Sequence, residues 1–171
     1  MQPQQIQKKI LYSLASYERI LQASSEEAFT CPPESGGWSR SQVFSHVLGV
    51  HGWILARIEA WPTKTREQTK SQSLIVYLIF FFGTLGPKKI KAPKVVQDEV
   101  RILSKEEASE LLDKFKMQLN KVTPLLDLIP SNRGWDHPIM GFLTIKQWYQ
   151  LIEIHSRHHE KQLELNKVLM R

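Results

Sequence analysis

The sequence is short of the residues and segments that several protein classes require. It contains a single cysteine, Cys31, in 171 residues, which excludes an intrachain disulfide and a zinc site built from several cysteines. The longest apolar run, Leu74–Phe82, is far shorter than the ~20 residues of a membrane-spanning helix. The sequence has no glycine-rich phosphate loop, and its N-terminus has no unbroken apolar stretch of the secretory type. We therefore expect a cytoplasmic protein that does not act at a membrane.

Concentrated charge is also scarce. The chain has 23 Lys and Arg against 17 Asp and Glu, a net charge of +6. The basic residues are scattered, and the densest group, PKKIKAPK at 87–94, is bracketed by prolines, which is typical of a solvated loop. Because no helix-turn-helix pattern or alternation of aromatic and basic residues accompanies it, the sequence does not favour nucleic-acid binding.

What the sequence does contain is typical of one globular domain over residues 1–171. Apolar residues make up 42% and charged residues 23% of the chain, an ordinary balance for such a domain. Residues 5–29 carry apolar side chains at the three- and four-residue spacing of a helix. Three further helices begin at capping boxes. In a capping box, the side chains of a Ser or Thr and of a Glu or Gln three residues later each accept a hydrogen bond from the other residue's backbone N–H. The three pairs are Ser39 with Gln42, Ser104 with Glu107, and Thr144 with Gln147.

These helices are expected to extend to about Trp61, Leu128 and Leu169. The Pro- and Gly-rich segments 31–37 and 130–143 predict irregular connections. Residues 66–83 are expected to form a shorter extra helix in the middle crossover. Its apolar part, 74–83, is interpreted as a buried core helix, with a helix lying on a membrane surface as the second interpretation. Since strand-like alternation is nearly absent, the pattern predicts an all-α four-helix bundle.

Histidines on the last helix are the strongest functional signal. His155 and His159 are four residues apart and therefore lie ~40° apart on the helical wheel, one turn from each other. They continue the apolar stripe that contains Trp148 and Ile152, so both are expected to point into the bundle. His158 is ~100° away from His159 and is expected to point outward.

A third histidine on another helix could complete a metal site with this pair. His46 lies mid-helix among apolar residues and is the natural candidate, because bundle cores hold metals on side chains from facing helices. His51 lies ~140° further round the same helix and is expected, like His137, to be a surface or loop residue. The alternative is that all three inward histidines are hydrogen-bonded core residues without a metal.

Two common metal-site classes are excluded by spacing. A zincin of the HExxH type needs Glu after the first histidine, but residue 156 is Ser. Di-iron bundles use Glu-x-x-His, and no histidine here has Glu three residues before it. A site of three neutral imidazoles remains, which could hold zinc, nickel, iron, manganese or cobalt, with zinc or nickel favoured.

These segments also resemble a known family. HPIMGFLTIKQWYQLIEIHSRHHEKQL (137–163) is similar to the final helix of DinB-like proteins of the DinB/YfiT superfamily, and WSRSQVFSHVLGVHGWILARIE (38–59) is similar to their second helix. The resemblance implies a DinB-like four-helix bundle with the metal ligands His46, His155 and His159. It also implies a homodimer and a small-molecule substrate.

The same resemblance implies a metal-dependent enzyme, either a hydrolase or a thiol-dependent S-transferase that uses a low-molecular-weight thiol. The sequence identifies neither a general acid or base nor a residue that binds such a cofactor. Trp53, Trp135 and Trp148 could line a pocket or belong to the core, and Arg157 and Lys161 could attract an anionic cofactor or face solvent. The alternative function is a non-catalytic stress-related bundle that binds a ligand or partner, with its metal structural or absent.

Overall fold

The computed structural model describes residues 1–34, 36–69, 71–85 and 98–168. The basic stretch 87–94 falls wholly between these ranges, and Leu169, the expected end of the last helix, lies beyond them. The helices are α1 (Pro3–Ala23), α2 (Glu26–Thr30), α3 (Arg40–Glu59), α4 (Trp61–Lys64), α5 (Leu74–Phe82), α6 (Lys105–Val122) and α7 (Ile145–Val168). A 3-10 turn, Thr123–Asp127, follows α6.

Four long helices form the bundle, which confirms the predicted all-α fold. Helix α1 packs against α7 and α6, and α3 packs against the same two helices. Apolar side chains from all four helices fill the space between them, including the completely buried Tyr17, Phe44, Leu119 and Tyr149. Burial of this apolar surface is the main stabilising contribution to such a fold.

All three predicted capping boxes are present. Ser39 and Ser104 accept hydrogen bonds from the backbone N–H groups of Gln42 and Glu107, and those side chains accept from the two serine N–H groups in return. Thr144 and Gln147 make the same pair of bonds at the start of α7. The first helix differs from the expected single segment 5–29. It ends at Ala23, because Ser24 is extended and Ser25 caps the separate helix α2.

A small antiparallel sheet replaces part of the predicted connections. Its strands are β1 (Arg66–Glu67), β2 (Arg133–His137) and β3 (Gly141–Thr144), in the order β1-β2-β3. The prediction of an irregular 130–143 segment is therefore wrong for its two strands. The prediction of a helix over 66–83 holds only for α5, since residues 66 and 67 pair with β2. Strands this short carry too few residues for a period-two pattern to show.

Helix α5 also differs from its prediction as a buried core helix. Only Val76 is buried, while most of the other apolar side chains of α5 face solvent. The physical reason is that the four long helices already fill the core, so α5 lies outside them against α7. Within the described ranges, no helix has the length and hydropathy needed to cross a membrane.

The hairpin formed by β2 and β3 requires glycine at position 134. A Cβ on Gly134 would lie 2.0 Å from the carbonyl oxygen of Leu143 in the paired strand, whereas a Cβ on Gly49 meets nothing within 4 Å. We expect Gly134→Ala to lower the free energy of unfolding by about 2 kcal/mol, as overpacking does. Gly49→Ala, within α3, should instead raise it by ~0.5–1 kcal/mol. Urea unfolding followed by circular dichroism measures both changes, and equal effects of the two variants would contradict this explanation.

Candidate metal centre

The bundle brings His46, His155 and His159 together at one point between α3 and α7. The Nε2 atom of His155 lies 3.3 Å from Nε2 of His46 and 3.1 Å from Nε2 of His159. One ring nitrogen from each residue falls within 4.8 Å of the others. The structure therefore places all three predicted residues in one cluster, and their role as ligands stays a prediction.

The spacing of these nitrogens fits a metal ion. Zinc binds imidazole nitrogen at ~2.0–2.1 Å, and two such ligands at a tetrahedral angle are about 3.3 Å apart. The observed separations of 3.1 and 3.3 Å match that value. The donor set also fits, since three imidazoles leave at least one coordination position free for water or substrate.

Burial keeps these imidazoles in the neutral form that a metal requires. Loss of solvation lowers the pKa of His46 to about 4. Burial, together with His46, lowers the pKa of His159 to about 3. Burial is also the main reason why the pKa of His155 lies well below its usual value, with His51 and His159 adding to it. At neutral pH the cluster therefore offers unprotonated nitrogen lone pairs.

A hydrogen bond to the ring nitrogen that points away from the cluster fixes the orientation of His159. Nδ1 of His159 lies 2.9 Å from the side-chain oxygen of Gln162, one turn further along α7. Because this oxygen can only accept, Nδ1 carries the proton and Nε2 presents its lone pair to the cluster. Such a bond to the second ring nitrogen is typical of metal-binding histidine. Gln162 therefore belongs to the site.

The prediction of His51 as a surface or loop residue is wrong. His51 is completely buried, and its Nε2 lies 2.9 Å from Nδ1 of His155. His155 therefore faces His46 through one ring nitrogen and His51 through the other. The ~140° between His46 and His51 on the wheel forbids a shared ligand position, but it does not prevent both from flanking one ring. The Phe115 ring packs against the ring of His51, with their centroids 5.7 Å apart.

His158 matches its prediction as an outward residue, whereas His137 is only partly exposed and lies at the end of strand β2. His158 is exposed beside His159. His137 sits on the hairpin, where its Nδ1 accepts hydrogen bonds from the backbone N–H groups of Ile139 and Met140. The ring of Trp38 packs at 4.9 Å from that of His46, so this indole covers one side of the cluster.

The tryptophans and the cations of α7 have mainly structural contacts. Trp135 and Trp148 are buried and stacked on each other at 4.7 Å, and the half-exposed Trp53 meets both edge-on. Arg157 pairs with Glu153 and donates to the carbonyl oxygen of Gly83, which ties α7 to the end of α5. Lys161 is exposed.

Comparison with solved structures finds the same fold. One match is described as "YfiT from Bacillus subtilis is a probable metal-dependent hydrolase with an unusual four-helix bundle topology". It aligns with 98% of this chain and 87% of its own, at 17% identity and a TM-score of 0.66. A second, TT2238, described as a four-helix bundle protein, aligns with 95% of this chain and 98% of its own, at 18% identity and a TM-score of 0.61. No protein-family model and no curated protein sequence matches the chain.

These similarities confirm the fold predicted from the histidine motif and the helix pattern. The chain has the four-helix bundle architecture of YfiT over nearly its whole length. At this level of identity the likeness concerns the fold, and the chemistry has to be argued from the site.

Proposed function

We propose that this protein is a metal-dependent enzyme that holds one divalent ion on His46, His155 and His159. The observation that carries the proposal is the convergence of three Nε2 atoms at ligand spacing on rigid helices. The description of YfiT as a probable metal-dependent hydrolase supports the same assignment. The proposal includes a small-molecule substrate and, as the family resemblance implies, a homodimer. Zinc and nickel are the favoured ions.

Neighbouring side chains orient and cover the three histidines. Gln162 keeps the proton of His159 on Nδ1, and His51 can do the same for His155 by accepting at Nε2. Trp38 shields His46 from solvent on one side. A divalent ion bound there would keep its full charge and act as a Lewis acid that activates a water or thiol nucleophile near neutral pH.

Hydrolysis is the reaction class that we favour, with thiol-dependent S-transfer as the second. Both need a nucleophile activated at the same three histidines, and the exposed Cys31 is not needed for either. Protein reconstituted with zinc, nickel or manganese should be assayed with p-nitrophenyl esters for hydrolysis. A low-molecular-weight thiol with a chlorinated electrophile tests the transferase. We expect turnover in one assay that is lost in His155→Ala.

A non-catalytic role is the alternative. Protein that binds one ion per chain, yet gives turnover in neither assay, would favour a bundle that binds a ligand or partner through a structural metal. A fourth protein ligand would then be expected, because structural zinc is usually coordinated by four protein side chains.

The contact between His51 and His155 gives a prediction that does not depend on turnover. His51→Leu removes the acceptor for His155 Nδ1 and fills the space beside Phe115 with an apolar side chain. We expect the dissociation constant for zinc to rise 10–100-fold, the usual cost of losing a hydrogen-bond partner of a ligand. His51→Gln, whose amide oxygen can accept the same proton, should restore most of the affinity. Competition with a chromophoric chelator measures the zinc affinity of the wild type and of both variants. Wild-type affinity in His51→Leu would contradict the role of His51 as the hydrogen-bond acceptor of His155.

A further inference from the structure

Helix α5 presents an apolar face to solvent that its contacts with the bundle leave uncovered. Val76 is buried toward the bundle, and the backbone is fixed to α7 by two hydrogen bonds. Gln150 donates to the Phe80 carbonyl oxygen at 3.3 Å and Arg157 to that of Gly83 at 2.6 Å. Six large apolar side chains remain exposed: Leu74, Ile75, Tyr77, Leu78, Phe81 and Phe82. We call these six residues the α5 face.

The area of this face is larger than a monomer ordinarily exposes. Phe81 is 82% exposed and Leu74 73%. Taking ~200 Å² for a fully exposed large apolar residue, the six side chains expose about 800 Å² together. The largest apolar patch of a typical monomer covers ~300–600 Å². A standard protein interface buries about 800 Å² on each partner, so two copies of the α5 face match one such interface.

The composition of the face suits a second copy of the same chain. The nine residues of α5 include no charged side chain, whereas the whole chain carries +6. Two like-charged copies therefore meet with least repulsion at this surface. Aromatic residues are enriched in the cores of protein interfaces, and three of the six residues are Tyr or Phe. A two-fold axis brings identical patches together, so the face needs to complement only itself.

We propose that the α5 face is the interface of a homodimer, with α5 of one protomer packed against α5 of its partner. This inference rests on the homodimer included in the proposed function and adds the surface that forms it. Because α5 packs against α7, the proposed interface lies next to the helix that carries His155 and His159.

The first test is the mass of the full chain in solution. Sedimentation equilibrium at 5–200 µM should give twice the protomer mass of 19.9 kDa. Phe81→Glu should raise the dimer dissociation constant at least 100-fold. Met117→Glu is the matched control, because Met117 is a 73% exposed apolar residue on α6, and it should leave the dimer intact. A monomeric wild type would overturn the proposal, as would a Phe81→Glu variant that remains as dimeric as the control.

Cross-linking locates the interface without relying on a disruptive variant. In a Cys31→Ser background, Phe81→Cys should form an intermolecular disulfide under mild oxidation, and Met117→Cys should not. A dimer in which only Met117→Cys cross-links would keep the homodimer but overturn this interface. Monomers that bind phosphatidylserine vesicles through Phe81 would overturn it in favour of a lipid surface. Zinc stoichiometry should be unchanged in Phe81→Glu, so these outcomes are separate from those that test the metal site.

Discussion

Replacing any one of His46, His155 and His159 with alanine is expected to reduce affinity for a divalent ion by more than about 100-fold. Loss of a hydrogen-bond partner of a ligand already costs 10–100-fold, and loss of a ligand itself must cost more. Nε2 of His155 lies 3.3 Å from Nε2 of His46 and 3.1 Å from Nε2 of His159. Each variant therefore removes one of the three nitrogen atoms of a single site. The three effects should therefore be similar.

Two histidines outside the cluster provide the matched controls. His158 is exposed next to His159 on the same helix, and His137 belongs to the hairpin. Both alanine variants should bind zinc with nearly wild-type affinity in chelator competition. Full metal content in all three cluster variants, or equal losses in the cluster and control variants, would show that these residues are not the ligands.

The metal-free protein is expected to lose stability steeply as pH falls from about 6.5 toward 4. Burial lowers the pKa of His46 to about 4, and it lowers the pKa of His51 and of His155 well below the usual value. The pKa of His159 falls to about 3. In the unfolded chain these imidazoles titrate near 6.5.

The direction of the effect follows from proton uptake. Between the folded and unfolded pKa values, the unfolded chain binds more protons, so the free energy of unfolding decreases as pH falls. Above about pH 8 all four imidazoles are neutral in both states and contribute almost nothing to the pH dependence. Each such histidine contributes up to ~1.4 kcal/mol per pH unit, so the loss of stability is steepest where several of them titrate together in the unfolded chain. Because total stability is commonly ~5–15 kcal/mol, the metal-free bundle should unfold in mildly acidic solution.

Urea unfolding in the presence of chelator, from pH 8 to pH 5, measures this dependence. His46→Gln removes one of the four groups and should reduce the slope by about 1.4 kcal/mol per pH unit. Met117→Gln introduces the same residue at an exposed site and should leave the slope unchanged. A free energy of unfolding that is flat from pH 7 to pH 5 would contradict the burial of a neutral histidine cluster.

Much of the bundle and the histidine cluster follow from local sequence patterns. The capping boxes at Ser39, Ser104 and Thr144 depend only on residues three apart, and all three are present. The four-residue spacing of His155 and His159 fixes their common face, since both lie on one rigid helix. The apolar residues around His46 in the sequence were enough to predict that it points from its own helix into the bundle, toward the helix that carries His155 and His159.

The features that the sequence did not predict depend on contacts between distant segments. His51 touches His155 across the bundle, and the helical wheel of α3 alone cannot show which ring it will meet. The pairing of Arg66 with Gly134 joins segments far apart in sequence. The apolar run of α5 indicated a helix, but whether α5 is covered depends on how completely the four long helices fill the core.

Elemental mass spectrometry of protein purified without a histidine tag or chelator tests the central claim most directly. We predict about one divalent ion per chain in the wild type, and less than a tenth of that in His155→Ala. If the wild type contains no metal even after incubation with zinc, nickel and manganese, the three histidines form a hydrogen-bonded core cluster. That result would contradict the proposed metal-dependent enzyme.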